Sequence, residues 1–439
     1  MSTLIEGTFI HTKNGILEIL ENHYMLISPE GKISYFSKEK PSLELLSNVS
    51  TTYKLSKTEL ILPGFIDCHI HAPQYVNSGC GLDLQLLEWL NQYTFPAESK
   101  FTSKDHAKII YTAFVSRTLS FGTTTACYFA TIHKEASLLL AEICDKLGQR
   151  AFIGKVSMDR NSPDYYIEKT ENAIEEEKNF LEKLEYSENK LINPVITPRF
   201  VPTCSAKLMA NLGEIGKHYE NKILIQSHLN ENEGEIELVK ELHPESKSYT
   251  HVYNDFNLLT NKTILAHCVH MTEPEIDLMK EKGASVAHCP SSNFSLLSGC
   301  CDVRYLLEKK IKVGLGTDVS GGPSPSLINC MRNALICSRA IFFDKRKKDK
   351  NTTYKPLTAA EVFYLATEGG AKALGIDDRV GNFEIGKDFD GLFVNVNKGA
   401  IDCFGQESIC DLLDKIVYLA DDRNITKVFV RGKIVKNLE

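Results

Sequence analysis

Long apolar runs are missing from this chain. Nowhere do about 18 consecutive apolar residues occur, the length a membrane-spanning helix needs, so no membrane partner is expected. Positive charge is not in excess either. Lysine and arginine number 50 against 57 aspartates and glutamates, a net charge of -7, whereas a nucleic-acid partner calls for a basic face. The one basic cluster, Lys345, Arg346, Lys347, Lys348 and Lys350, is short and reads as a solvated loop. No Gly-x-x-x-x-Gly-Lys-Ser/Thr phosphate loop is present, and Gly321-Gly322-Pro323 reads as backbone turning. Cys-x-x-Cys spacing is absent among the 13 cysteines, and Cys289, Cys300 and Cys301 read as buried thiols rather than ligands. An odd number of unpatterned cysteines fits free thiols in a reducing compartment, so a cytoplasmic protein is expected. Met1 to Ile10 carries no basic stretch followed by an apolar one, so no signal peptide is expected.

What is present is ordinary for a globular chain: 43% of the residues are hydrophobic and 24% charged. The 439 residues exceed one small domain and suit one large barrel with a smaller companion. Both ends read as short strands with turn residues between them. Gly7 to His11, Ile16 to Leu20, Tyr24 to Ile27 and Ile33 to Phe36 stand at one end. Leu392 to Val394, Lys427 to Val430 and Ile434-Val435 stand at the other.

The middle alternates apolar runs with helical patterns. Eight strands are expected: Leu62 to His71, Thr123 to Phe129, Ala151 to Met158, Pro194 to Phe200, Ile223 to Leu229, Thr263 to Val269, Ser285 to His288 and Lys312 to Thr317. Ile167 to Tyr186 and Ser205 to His218 are clear helical stretches between them. Repeated strand–helix alternation means a parallel sheet, and eight units mean a closed (β/α)8 barrel. The expectation is therefore an α/β fold: a barrel over residues 63–375, with a small β-sandwich domain made from residues 1–62 and 376–439.

Chemistry concentrates at the strand ends. In Asp67-Cys68-His69-Ile70-His71 the two histidines are two residues apart and share a face of the first strand. His228 ends the fifth strand, His267 the sixth, and Asp318 the eighth. Barrel enzymes gather catalytic groups at these C-terminal ends, and imidazole with carboxylate is a donor set for a divalent metal such as zinc. Glu231, three residues past His228, can reach a metal-activated water and move its proton. Glu233, Glu235 and Glu237 read as acidic residues favoured at a helix N-terminus. His288, at the end of the seventh strand, fits either support of the site or plain packing. A second metal would want a bridging carboxylate or modified lysine from a middle strand. The fourth offers Arg199 instead, which favours one metal, although Lys155 lies in the third.

These residues resemble a known family. Pro63-Gly64-Phe65-Ile66-Asp67-Cys68-His69-Ile70-His71 looks like the amidohydrolase signature, and Gly381 to Asp390 is similar to the way such barrels re-enter their β domain. The likeness to the guanine deaminases in that family is carried by His71-Ala72-Pro73-Gln74-Tyr75, Tyr93 to Glu98, Thr123 to Thr131, Thr197-Pro198-Arg199-Phe200, Gln226 to Asn232, Gly316-Thr317-Asp318 and Leu419 to Asn424. The resemblance implies metal ligands at His69, His71, His228 and Asp318. It implies Glu231 as proton shuttle, with His267 and Asp318 as catalytic partners. Gln74, Arg199 and Phe200, beside His71 and His228, would hold the base. The implied cofactor is one Zn2+ per chain, with Fe2+ as the other candidate; the implied substrate is guanine, and the implied assembly a homodimer. Pro73 departs from the small polar residue that often precedes the glutamine, which would stiffen the loop more than change the chemistry. Other amino-substituted rings of the same barrel chemistry (pterin, triazine, adenosine-like, cytosine-like) and a non-catalytic scaffold are the alternatives.

Overall fold

The eight apolar runs form a parallel barrel in the computed structural model, which describes residues 2–185, 191–220 and 222–438. Its strands are β1 (Phe65–His71), β2 (Thr123–Phe129), β3 (Arg150–Gly154), β4 (Ile192–Pro198), β5 (Leu224–Leu229), β6 (Thr263–His267), β7 (Ser285–His288) and β8 (Lys312–Leu315). They pair in chain order, each parallel to the next. Every residue of β1 and β2 is buried, as strands covered on both faces must be.

Two of the expected runs are divided. The first breaks at Gly64: Glu59–Pro63 joins the terminal sheet and Phe65 opens the barrel. A Cβ on Gly64 would lie 2.1 Å from the Thr124 hydroxyl, so only glycine lets the chain pass β2 this closely. The third run breaks at Lys155, whose amine turns to the Glu168 carboxylate at 2.7 Å; Val156–Ser157 then pairs onward with β4.

The barrel closes through hydrogen bonds just past β8. The Asp318 N–H donates to the His69 carbonyl at 2.9 Å, and the His71 N–H donates to the Val319 carbonyl at 3.1 Å. The Asp67 carboxylate buckles the same seam, accepting from the Thr317 N–H at 3.0 Å, the Thr317 hydroxyl at 2.5 Å and the His69 N–H at 3.2 Å.

The helices follow the expected pattern with shifted ends. Thr170–Glu185 occupies the stretch expected from Ile167; Tyr186 lies outside the described residues. Ala206–His218 is capped by the Ser205 hydroxyl, which accepts from the Leu208 N–H. The basic cluster is not a loop as expected. Lys345, Arg346, Lys347 and Lys348 form the last turn of the helix Leu327–Lys348, where cations meet the negative end of the helix dipole while staying in water.

The two ends of the chain meet in one eight-stranded mixed sheet. Glu59–Pro63 stands between them, antiparallel to Gly391–Asn395 and parallel to Ser2–Lys13. The expected segments Ile16 to Leu20 and Tyr24 to Ile27 are one strand, Ile16–Ile27, and the turn signal between them is a bulge with Asn22 at φ 54. Phe9, Phe383, Phe389, Phe393 and Phe429 pack the interior of this sheet. Arg150, fully buried at the start of β3, ties it to the barrel: its guanidinium reaches Asp388 at 3.0 Å and Asp390 at 3.3 Å.

Candidate active site

The donors expected at the strand ends converge. His69 Nε2 and His71 Nε2 stand 3.2 Å apart, and His71 Nε2 is 3.3 Å from His228 Nε2. Asp318 Oδ1 lies 3.1 Å from His69 Nε2 and 3.3 Å from His71 Nε2. All four residues are buried. His228 Nδ1 donates to the Arg199 carbonyl at 2.7 Å, which leaves the Nε2 lone pair facing the cluster. Three lone pairs and a carboxylate oxygen crowded in this way repel one another unless a cation lies between them. Four donors held at about 2.0–2.1 Å from a common centre in a tetrahedron stand roughly 3.3 Å apart. The spacing seen here fits a divalent metal.

Protonation agrees with that use. Burial lowers the pKa of the His71 imidazole to about 4 and pulls His69 and His228 below the ordinary histidine range, which favours the neutral rings a metal would need. Burial alone would raise Asp318, but the facing histidines overcome it and hold the carboxyl well below its usual value. Glu231 is the opposite case: burial, then the charges of Glu235 and Asp318, raise it well above the carboxylate range. Its Oε2 stands 3.3 Å from His267 Nε2, beside the donor cluster. His267 Nδ1 donates to Asn293 Oδ1 at 2.9 Å, fixing the ring with Nε2 toward Glu231 and toward Asp318 Oδ2, 3.8 Å away. His267 and Asp318 both hold positive φ, 73 and 48, a strained backbone of the kind that gathers at functional sites.

One cavity brings the expected residues together: His71, Gln74, Arg199, Phe200, His228, Glu231, His267 and Asp318 line it. His69 stands behind Asp318. The cavity roof comes from the irregular segment between β1 and the helix Lys104–Ser120, with Leu86, Trp89 and Leu90 facing in beside Leu296. Apolar walls with a few convergent polar groups suit a flat heterocycle. Pro73 opens the short helical turn Ala72–Asn77 that presents Gln74.

Several residues of the site were not singled out from the sequence. Glu98 is fully buried and accepts from Arg199 Nη1 at 2.6 Å, Arg199 Nη2 at 3.1 Å, Gln74 Nε2 at 2.8 Å and the Tyr166 hydroxyl at 2.7 Å. Burial alone would raise its carboxyl, and the Arg199 guanidinium overcomes that and holds it below the usual range. Phe95 packs under the guanidinium, 5.1 Å from its carbon. Glu235 does more than decorate a helix start. In a capping box it accepts from the N–H groups of Glu231 at 2.9 Å and Asn232 at 3.3 Å, which fixes the backbone of the proton carrier.

The remaining candidates are supporting or separate. His270 reaches the Ser298 carbonyl at 2.8 Å, and the Ser298 hydroxyl lies 3.5 Å from Glu231 Oε1. His288 is buried with neither ring nitrogen paired among the described residues, and burial lowers it to about 3. Lys155 is committed to Glu168 and the Val156 carbonyl, away from the metal donors. All 13 cysteines are free thiols.

Comparison with known proteins agrees with this geometry. The family model described as the amidohydrolase family matches residues 60–435. A guanine deaminase of Dictyostelium discoideum is 46% identical over 448 residues, covering 99% of this chain and 98% of that protein. A guanine deaminase of Mus musculus is 46% identical, with 99% and 97% covered. Among solved structures, a guanine deaminase from C. acetobutylicum with guanine bound in its active site superposes with a TM-score of 0.92 at 37% identity, covering 99% of this chain and 100% of that one. This chain belongs to the amidohydrolase family and, within it, to the guanine deaminases.

Proposed function

We propose that this protein hydrolyses guanine to xanthine and ammonia at the cavity described above. One observation carries the reading: a four-donor metal cluster and the buried carboxyl of Glu231 share one cavity with the Arg199–Gln74 pair. His69, His71, His228 and Asp318 would hold the metal, which we take to be one zinc ion per chain. When bound, such a cation lowers the pKa of water toward about 7 and supplies a hydroxide at neutral pH.

The chain's own groups do the rest. Arg199 and Gln74 meet the carbonyl edge of the base, and Phe200 covers its face. The carbon bearing the amine then faces Glu231 and His267. Asp318 takes the proton of the attacking water, and His267, once protonated at Nε2 as well as Nδ1, stabilises charge on the new oxygen. Glu231 gives its proton to the ring nitrogen, regains the one that Asp318 took from the water and passes it to the departing amine, so water and guanine leave as xanthine and ammonia.

Ultraviolet absorbance of guanine with purified, metal-quantified protein tests this, with adenine, adenosine and cytosine beside it. Selective loss of guanine with one zinc per chain is the expected result. No conversion by the zinc-loaded protein would reject guanine as substrate. We further propose a cytoplasmic homodimer. The free thiols support the compartment, and light scattering checks the assembly. No described helix is long and apolar enough to cross a membrane.

A further inference from the structure

Glu98 does not line the cavity, yet it decides what the cavity wall can say to a ligand. The Gln74 side chain is trapped between two one-way groups. Its Nε2 faces the Glu98 carboxylate, which only accepts, at 2.8 Å; its Oε1 faces the Ser320 N–H, which only donates, at 3.2 Å. Turning the amide over would set oxygen against oxygen and N–H against N–H, so one orientation is enforced. Ser320 is itself placed by the Asn77 amide, which donates to its hydroxyl at 2.7 Å. Arg199 gives one N–H from each Nη to Glu98 and has only donors left. With the two lone pairs of the Gln74 oxygen turned to the Ser320 N–H and to the Ser320 hydroxyl, which donates at 3.5 Å, what the two residues offer the cavity is N–H.

We infer that Glu98 is a specificity-determining positioning residue: by locking Gln74 and Arg199 as donors, it selects purines with an oxo group at the six position and rejects those with an amino group there. An amino group would point N–H at N–H beside two buried side chains, and the unpaired donors make that costly. Burial and the ion pair keep the arrangement rigid: Glu98 is fully buried, its second oxygen accepts from the Tyr166 hydroxyl at 2.7 Å, and Phe95 backs Arg199. This rests on the guanine reading, which it deepens.

The test uses hypoxanthine and adenine as competitive inhibitors of guanine turnover; neither carries the reactive amine. In the wild-type protein hypoxanthine should bind at least about 100-fold more tightly than adenine. In Glu98→Gln, whose amide can donate as well as accept, Gln74 is free to turn. The ratio should fall at least about 10-fold, and guanine KM should rise more than kcat falls, with metal content unchanged. Glu98→Asp, which keeps both acceptor oxygens, should recover part of the ratio. A folded, metal-loaded Glu98→Gln protein with the wild-type ratio would overturn the inference. If that variant does not fold, Gln74→Met decides: it spares the Glu98–Arg199 pair and should still lower the ratio about 10-fold, and an unchanged ratio would overturn the inference. A wild-type protein that leaves guanine intact would instead reject the guanine reading itself.

Discussion

Glu231 and Asp318 are two carboxyls of one pocket pushed in opposite directions, one toward keeping its proton and one toward losing it. That division fits the proposed roles of acid and ligand. Glu231→Gln should keep the metal and the cavity while removing the transferable proton. Turnover of guanine should fall about 10²–10⁴-fold with unchanged metal content, measured by steady-state kinetics beside metal analysis. Near-normal turnover would remove the shuttle role. The metal donors were legible in the sequence because each sits near where an apolar run stops, toward the end of β1 or β5 or just past β8. Glu98 was not. It lies in an irregular segment of short helical turns, within the quoted stretch Tyr93 to Glu98 but far in sequence from its partner Arg199. Only the barrel's closure brings the two together, and no local period announces such a pair.

At the scale of the element, the helix Thr170–Glu185 carries a second buried acid, Glu177, on its inner face. Burial raises its carboxyl to about 8 against the opposing charge of Lys155, with Glu168 adding to the rise and the Ser157 hydroxyl 3.3 Å from one oxygen. In the unfolded chain a glutamate ionises near 4.3 or so (about 4.3). Between those two values the unfolded chain sheds a proton that the folded one keeps, so stability falls as pH climbs through that window. Glu177→Gln abolishes the dependence. Its thermal midpoint should exceed that of the wild type by more at pH 8 than at pH 5, on the order of a few kcal/mol in stability; equal shifts at both would contradict it. Elements themselves were legible where burial is two-sided. Val49–Lys54 escaped notice because its residues, Val-Ser-Thr-Thr-Tyr-Lys, are polar and largely exposed. The helix Ile409–Leu419 likewise went unread, although Ser408 caps it with Asp411 in a capping box.

For the whole molecule, the contact between barrel and terminal sheet turns on Arg150. It is one of the largest fully buried side chains, and Asp388 and Asp390 both depend on it, Asp388 having Lys32 as a further partner. Arg150→Met keeps the volume and strands the carboxylates. The cost should be about 3–5 kcal/mol in urea unfolding, with kcat of the folded fraction unchanged because the cavity lies at the other end of the strands. A loss under about 1 kcal/mol would show that the joint is held by its apolar contacts instead.

The seam that closes the barrel has a temporal meaning. Asp67 and Thr317 bond across 250 positions of chain, and the metal donors sit on either side of that bond: His69 and His71 on the first strand, Asp318 beyond the last. A chain still being synthesised, or one cut short before its last strand docks, owns the three histidines of the set and lacks the carboxylate that completes it. Reactivity is therefore postponed until the molecule is finished.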